Sequence, residues 1–188
     1  HVPGGPAAAT TPAVLAQTGN NAIVDWVFVQ LRQGPSGATT VVRTAAGLLQ
    51  ADGDIVDMDG VSPLGFPGLP AGSYFVTVRH RNHLGFRTDA DVPITSSTPA
   101  MNFTDGTTLL YGSFPVTNAS GSTTIFVMNS GDANSDGSVD ATDTVVWETF
   151  NGLFDNYLYN SDYNLDGSID AIDSINWETN NGKYEELD

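Results

Sequence analysis

Asp132, Asn134, Asp136, Asp140 and Asp143 place side-chain oxygens at positions 1, 3, 5, 9 and 12 of a twelve-residue stretch. Asp162, Asn164, Asp166, Asp170 and Asp173 repeat the pattern thirty residues later. In both copies glycine stands at position 6 (Gly137, Gly167) and a branched apolar residue at position 8 (Val139, Ile169). This is oxygen chemistry. A hard divalent cation such as Ca²⁺ takes six to eight oxygens, and a short loop can supply them only by folding back on itself. The glycine allows the sharp bend, and the main-chain carbonyls of Ser138 and Ser168 are expected to donate at position 7. Val139 and Ile169 are expected to be buried and to face each other where the loops pair. Asp-Gly clusters also mark plain solvated turns. Two complete copies in register speak against that simpler reading.

The spacing matches an EF-hand-type loop with Asp instead of Glu at position 12. Each loop runs into a segment of helical character, residues 142–151 and 172–181, closed by Gly152 and Gly182. Trp147-Glu148-Thr149 in the first copy matches Trp177-Glu178-Thr179 in the second, and no comparable helix precedes either loop. A loop followed by one helix, duplicated within about sixty residues, resembles a dockerin module over residues 131–188. The resemblance implies that Asp132, Asn134, Asp136, Asp140 and Asp143, with Asp162, Asn164, Asp166, Asp170 and Asp173, are Ca²⁺ ligands, and the carbonyls of Ser138 and Ser168 are expected to complete the two sets. It also implies folding on calcium and docking to a cohesin. The chain departs from the cohesin-binding pattern: Ala141-Thr142 and Ala171-Ile172 replace the usual hydroxyl pair, and neither helix carries Lys or Arg.

The chain has 188 residues and a formal charge of −16, with no cysteine and hence no disulfide or thiol chemistry. Residues 130–188 hold fourteen acids against one base, Lys183, while residues 1–129 hold eight acids and five arginines. Eight of the fourteen are the loop aspartates, which should repel one another without metal. No basic patch exists to neutralise phosphates, so nucleic acid is not an expected partner. No apolar run reaches the roughly 20 residues of a membrane span. The start at His1-Val2-Pro3 suggests a processed protein or a fragment, and the whole suggests a bacterial extracellular or cell-surface location.

Ahead of the loops the sequence is β-like. Residues 23–32, 39–46, 74–81 and 125–128 are rich in Val, Ile, Phe, Tyr and Thr between Gly/Pro clusters. Residues 48–57, 91–95, 101–104 and 107–111 are weaker candidates. The expected fold is mainly β with a small α module: a β-sandwich over residues 22–129, followed by the calcium-loop pair over 130–188. Residues 66–78, with a Pro/Gly turn before Tyr74-Phe-Val-Thr-Val78, resemble the last hairpin of prealbumin-like and carboxypeptidase-regulatory-like sandwiches. The larger passage resembles repeat modules of large secreted Bacteroidetes-type proteins. In residues 23–32 both faces are largely apolar, so Trp26 and Phe28 need cover. A linker, a helix or another subunit must supply it, with the two C-terminal helices the first expectation. Residues 1–21, rich in Ala, Pro, Gly and Thr, are expected to be extended. Residues 12–16 could add as a strand to a neighbouring sheet or pack on their own.

Asp52, Asp54, Asp57 and Asp59 could surround a third Ca²⁺, or mark two Asp-Gly turns about a short strand. His80 and His83 could form a zinc pair but read better as a strand end. Asn102-Phe-Thr104 and Asn118-Ala-Ser120 fit the glycosylation sequon. No nucleophile elbow or phosphate loop is present, and no catalytic residue is assigned. Three readings follow: a self-associating structural subunit of an extracellular filament or matrix, a dockerin-type binder of a cohesin-like partner, or an accessory glycan-binding region using Trp26, Trp147 or Trp177. The first is favoured.

Overall fold

A computed structural model describes residues 8–98, 100–154 and 159–188. The chain is mainly β, with short helices. The first seven residues of the N-terminal segment and residues 155–158 of the aromatic linker lie outside the described residues.

Strands β1 (Ile23–Gln33), β2 (Thr40–Gln50), β3 (Ile55–Val56), β4 (Gly72–Arg79), β5 (Phe86–Arg87) and β6 (Val92–Ile94) form one sheet. Its order is β3-β2-β1-β4-β5, with β6 also on β4. The β1–β2 and β1–β4 pairs are antiparallel, with Val29 opposite Ala45 on one side and Val78 on the other. Alternation puts Val27, Val29 and Leu31 on one face with Tyr74, Val76 and Val78, and this is the main core. Burying each such side chain contributes about 1.5–3 kcal/mol. The layer over this face includes a two-stranded ladder, β7 (Thr117–Asn118) with β8 (Phe126–Val127), and largely irregular segments carrying Phe66, Leu69, Met101, Phe103 and Leu110. The expected strands over 101–104 and 107–111 do not form; Leu110 makes a single bridge to Thr88. β2 runs on through Gly47 to Gln50, shrinking the expected 48–57 strand to Ile55–Val56. At Gly47 a Cβ would come within 2.7 Å of the Ile55 side chain.

On the opposite face the N-terminal segment supplies cover. Thr11 caps a one-turn helix, α1 (Pro12–Leu15), with proline at its first position. Val14 packs with Ile23, Leu48 and Val56, and Trp26 lies against this cluster. Thr10 Oγ1 donates to the Met58 carbonyl at 2.6 Å. One expectation is corrected here. Residues 12–15 form a helical turn rather than an extended strand, so they offer no ladder to a neighbour. The N-terminal segment supplies part of the cover on the Trp26 side through Val14.

Candidate metal centre

The two C-terminal loops fold alike because their local chemistry is the same. In the first, Asp132 Oδ1 accepts the Asp136 N–H at 3.0 Å and Oδ2 the Gly137 N–H at 3.1 Å. In the second, Asp162 accepts from Asp166 and Gly167 at 3.1 and 3.0 Å. Asn134 and Asn164 also accept from those position-5 amides, and Asp136 and Asp166 accept from Ser138 and Ser168. Gly137 and Gly167 stand at φ +87° and +86°, and Ser135 and Leu165 occupy the left-handed region at +59° and +60°.

Each loop passes directly into a helix, α2 (Ala141–Phe150) and α3 (Ala171–Asn180). The position-9 aspartates are the N-caps: Asp140 accepts from Thr142 at 2.8 Å and Asp170 from Ile172 at 2.7 Å. The position-12 aspartates complete a capping box, Asp143 accepting from the Asp140 N–H at 2.8 Å and Asp173 from Asp170 at 2.9 Å. Asp143 also reaches back to the Asn134 amide, and Asp173 to those of Tyr163 and Asn164. Positions 1, 3, 5 and 12 are thus drawn together within each loop. The Asp-x-x-Asp spacing was a readable cap signal that the ligand reading passes over.

Asp132, Asp143, Asp162 and Asp173 are buried, and among the described residues none is paired with a base. Backbone N–H bonds lower a carboxyl's pKa, but burial outweighs them. Burial, with the charges of Asp143, Glu185 and Asp136, pushes Asp132 up to about 7. Burial, with Asp173 and Asp166, pushes Asp162 up to about 6. Asp143 and Asp173 are also raised, chiefly by burial. Among the described residues no three His, Cys, Asp or Glu side chains form a ready cage, since the loop carboxylates are turned onto backbone amides. The donor set is nevertheless all oxygen, acidic and uncompensated. It suits a hard divalent cation and no soft one.

The position-8 residues are buried as expected, and their main-chain partners lie beyond the helices. Val139 exchanges main-chain bonds with Lys183 and Gly182, beyond α3. Ile169 does the same with Leu153 and Gly152, beyond α2. The first loop is therefore closed by the segment after α3 and the second by the segment after α2. The tryptophans cross in the same sense: Trp147 Nε1 donates to the Asp170 carbonyl at 3.1 Å, and Trp177 Nε1 to the Asp140 carbonyl at 2.8 Å.

The sheet also grips the loops. At the end of β4, Asp25 accepts from Arg81 Nε at 2.8 Å and lies 3.3 Å from His80 Nε2, all three groups being buried. His80 and Arg81 hold the Asp25 carboxyl below its ordinary range against the burial that would raise it. The Asn82 carbonyl accepts the N–H of Asp132, and Asn82 Nδ2 donates to the Asp162 carbonyl at 2.7 Å. Ser135 Oγ donates to the Arg81 carbonyl at 2.6 Å. Beyond α3 the chain lies over the first loop: Glu185 pairs with Arg79 at 2.9 Å and accepts the Gly85 N–H, and Asp188 pairs with Arg32. The sequence reading passed over Asn82 and Glu185. A lone Asp25 inside an apolar strand was the signal that a buried polar joint lay nearby.

Asp59 caps a turn by accepting from Val61, Ser62 N–H and Ser62 Oγ, while Asp52 and Asp57 accept from Asp54 and Met58. They flank β3 and are engaged in turns. His80 is turned to Asp25, and His83 Nδ1 lies 2.7 Å from Asn82 Oδ1. Asn118 lies exposed on β7, and Asn102 accepts from Thr104 in an exposed turn. No described helix is long and apolar enough to cross a membrane.

No protein-family model and no curated protein matches the chain. Among solved structures it is similar to crystal structures of two mutants of the type II cohesin–X-dockerin complex from Acetivibrio cellulolyticus. For the N-terminal interface mutant the TM-score is 0.46 at 18% identity, covering 94% of this chain and 90% of that one. For the C-terminal interface mutant the TM-score is 0.47 at 17% identity, covering 96% and 92%.

Proposed function

We propose that this chain is a secreted, non-catalytic calcium-binding assembly module. Two Ca²⁺ ions, held by Asp132, Asn134, Asp136, the Ser138 carbonyl, Asp140 and Asp143 and by their counterparts Asp162 through Asp173, fold the dockerin-like C-terminal unit and lock it to the sheet. The observation that carries the reading is the burial of four carboxylates without a base in two loops of one geometry. A bound cation removes the cost that makes Asp132 hard to ionise. Calcium binding to the folded state adds RT ln(1 + [L]/Kd), about 4 kcal/mol at a thousandfold excess over Kd. Extracellular calcium is millimolar, so sites of modest affinity fill only outside the cell.

The unit offers a partner the outer side of its helices. Val145 and Ile175 are equivalent in the repeat and are 62% and 53% exposed, with Ile172 beside them at 51%. An apolar, acidic face without Lys or Arg suits a protein surface carrying bases around an apolar centre. Two of the three tryptophans of the glycan reading, Trp147 and Trp177, already donate to the carbonyls of Asp170 and Asp140. Isothermal titration of chelator-stripped protein with CaCl₂ tests the calcium reading. Two sites and a calcium-dependent rise in melting temperature are expected; no heat and no rise would remove it.

Self-association has one observation in its favour. β2 pairs with β3 only at Leu48 and Leu49, so the outer edge of residues 40–46 carries no strand among the described residues. Val41 and Val42 are exposed there. Such an edge accepts an added strand, although the bulge at Val42 and the charge of Arg43 work against like-with-like pairing. Sedimentation velocity in millimolar calcium and in chelator decides between a monomer awaiting a different partner and a subunit of a filament or matrix.

A further inference from the structure

Residues 81–83 stand at the end of β4, yet they are bonded to both loops. The Asn82 carbonyl takes the N–H of Gly131 at 3.0 Å and of Asp132 at 3.2 Å. Its side-chain Nδ2 gives a 2.7 Å bond to the Asp162 carbonyl. The first and second position-1 residues are therefore joined through one fully buried asparagine. The neighbouring Arg81 repeats the bridge: its carbonyl takes Ser135 Oγ of the first loop, and its guanidinium reaches the Tyr159 carbonyl just before the second. Asn82 Oδ1 is taken up by His83, which fixes the amide so that Nδ2 faces Asp162. The bridge is anchored in the sheet by the buried Arg81–Asp25 pair.

A cation ligated by position 1 must fix the orientation of that residue, including its N–H and C=O. Residues that hold a ligand from behind change affinity by about 10–100-fold in metal sites. We infer that Asn82 is a positioning residue shared by the two calcium sites, so that loading either loop pre-orients the other and the two bind cooperatively. The inference rests on the calcium reading above. Coupling must be reciprocal, because it is a free energy between sites. It also ties sheet order to calcium: the loops cannot release without freeing residues 81–83.

The test uses the full chain with single-site variants. Asp136→Ala leaves the second loop to bind alone, and Asp166→Ala leaves the first. Each should lower calcium affinity at the intact loop by about tenfold, within the usual range of coupling. In the Asn82→Ala background the same substitutions should leave the intact loop unaffected. Amide hydrogen exchange gives a second readout: in Asp136→Ala, calcium at the second loop should protect the Gly131 and Asp132 amides only while Asn82 is present. If Asn82→Ala fails to fold, Asn82→Asp keeps the side-chain shape and the main-chain carbonyl but removes the Nδ2 donor to Asp162, and should abolish the cross-effect. An unchanged cross-effect in folded Asn82→Ala, or in Asn82→Asp where that variant stands in, overturns the shared role and leaves the calcium reading intact. A wild-type chain that binds no calcium overturns the reading itself.

Discussion

Trp147 donates its indole N–H to the main-chain carbonyl of Asp170, a residue of the other loop. Trp177 makes the reciprocal bond to Asp140. Asp170 and Asp140 are the N-caps of α3 and α2, so each helix secures the start of its counterpart. With the exchanged position-8 ladders, this makes the two loop–helix units one cooperative body rather than two beads.

Replacing Trp177 by Phe keeps the ring and deletes the donor, leaving the Asp140 carbonyl without this partner. The expected cost is about 0.5–1.5 kcal/mol. Because the bond crosses between units, Trp177→Phe should weaken calcium at the first loop, whose ligands it does not include. Thermal unfolding and calcium titration of the single variant check both effects; weakening confined to the second loop would count against the exchange.

Removal of calcium should unfold the C-terminal unit while sparing much of the sheet, whose core of Val27, Val29, Leu31, Val76 and Val78 lies apart from the loops. Circular dichroism should lose its small helical component in chelator and regain it on adding CaCl₂. Asp136→Ala and Asp166→Ala should each destabilise the calcium-bound protein. Their double mutant should cost less than the sum, since neighbouring, packed sites do not add.

Gly137 and Gly152 separate backbone strain from crowding. Both have positive φ, +87° and +89°. A Cβ at Gly152 meets nothing within 4 Å, whereas at Gly137 it comes within 2.9 Å of the Glu185 side chain. Gly152→Ala should cost the left-handed strain alone, about 1–2 kcal/mol. Gly137→Ala should cost more, because Glu185 must move and release Arg79 and the Gly85 amide. Chemical denaturation of the two variants ranks them.

The loops, their glycines and the helices after them were legible because adjacent residues determine them: an oxygen every second position, a turn, a cap. Helices expected over 142–151 and 172–181 form one residue earlier at each end. The central strands were legible from alternation. What escaped was set by distant pairings. Nothing near Val139 announces Lys183, and nothing near Asp162 announces Asn82, eighty residues away. Residues 12–15 looked extended by composition, but Thr11 and Pro12 start a helix and Val14 finds an apolar seat.

The raised aspartates give the calcium-free protein an inverted pH response. For Asp132 and Asp162 the folded-state pKa, about 7 and about 6, lies above the ordinary 3.8. Their contribution is fully present below 3.8 and is lost as pH rises through 6 to 7. His83 acts oppositely: burial, with His80 second, holds it well below 6.5, so its contribution is full above 6.5 and declines as pH falls. In chelator, acidification from pH 7.5 to pH 5 should therefore restore part of the helical circular-dichroism signal that calcium removal abolishes, more so in His83→Asn. With calcium bound the carboxylates are held ionised and the trend should reverse, with protons released on binding near pH 6. Calorimetry in buffers of different ionisation enthalpy reads that release.

Asp25 offers the sharpest stability test of the joint between sheet and loops. Its carboxylate is fully buried with Arg81 and His80, and Arg81 continues to the Tyr159 carbonyl. Removing it takes away the carboxylate that faces both the buried Arg81 guanidinium and His80. The expected cost for Asp25→Ala is about 3–5 kcal/mol, the usual consequence of breaking a buried pair from one side. Asp25→Asn retains an acceptor and should cost less. Because Arg81 and Asn82 carry the bridge to both loops, Asp25→Ala should also loosen calcium at both sites, although Asp25 touches neither. Urea unfolding with and without calcium measures the two effects separately. A loss of sheet stability with calcium affinity unchanged would show that the Asp25–Arg81 pair supports the sheet alone.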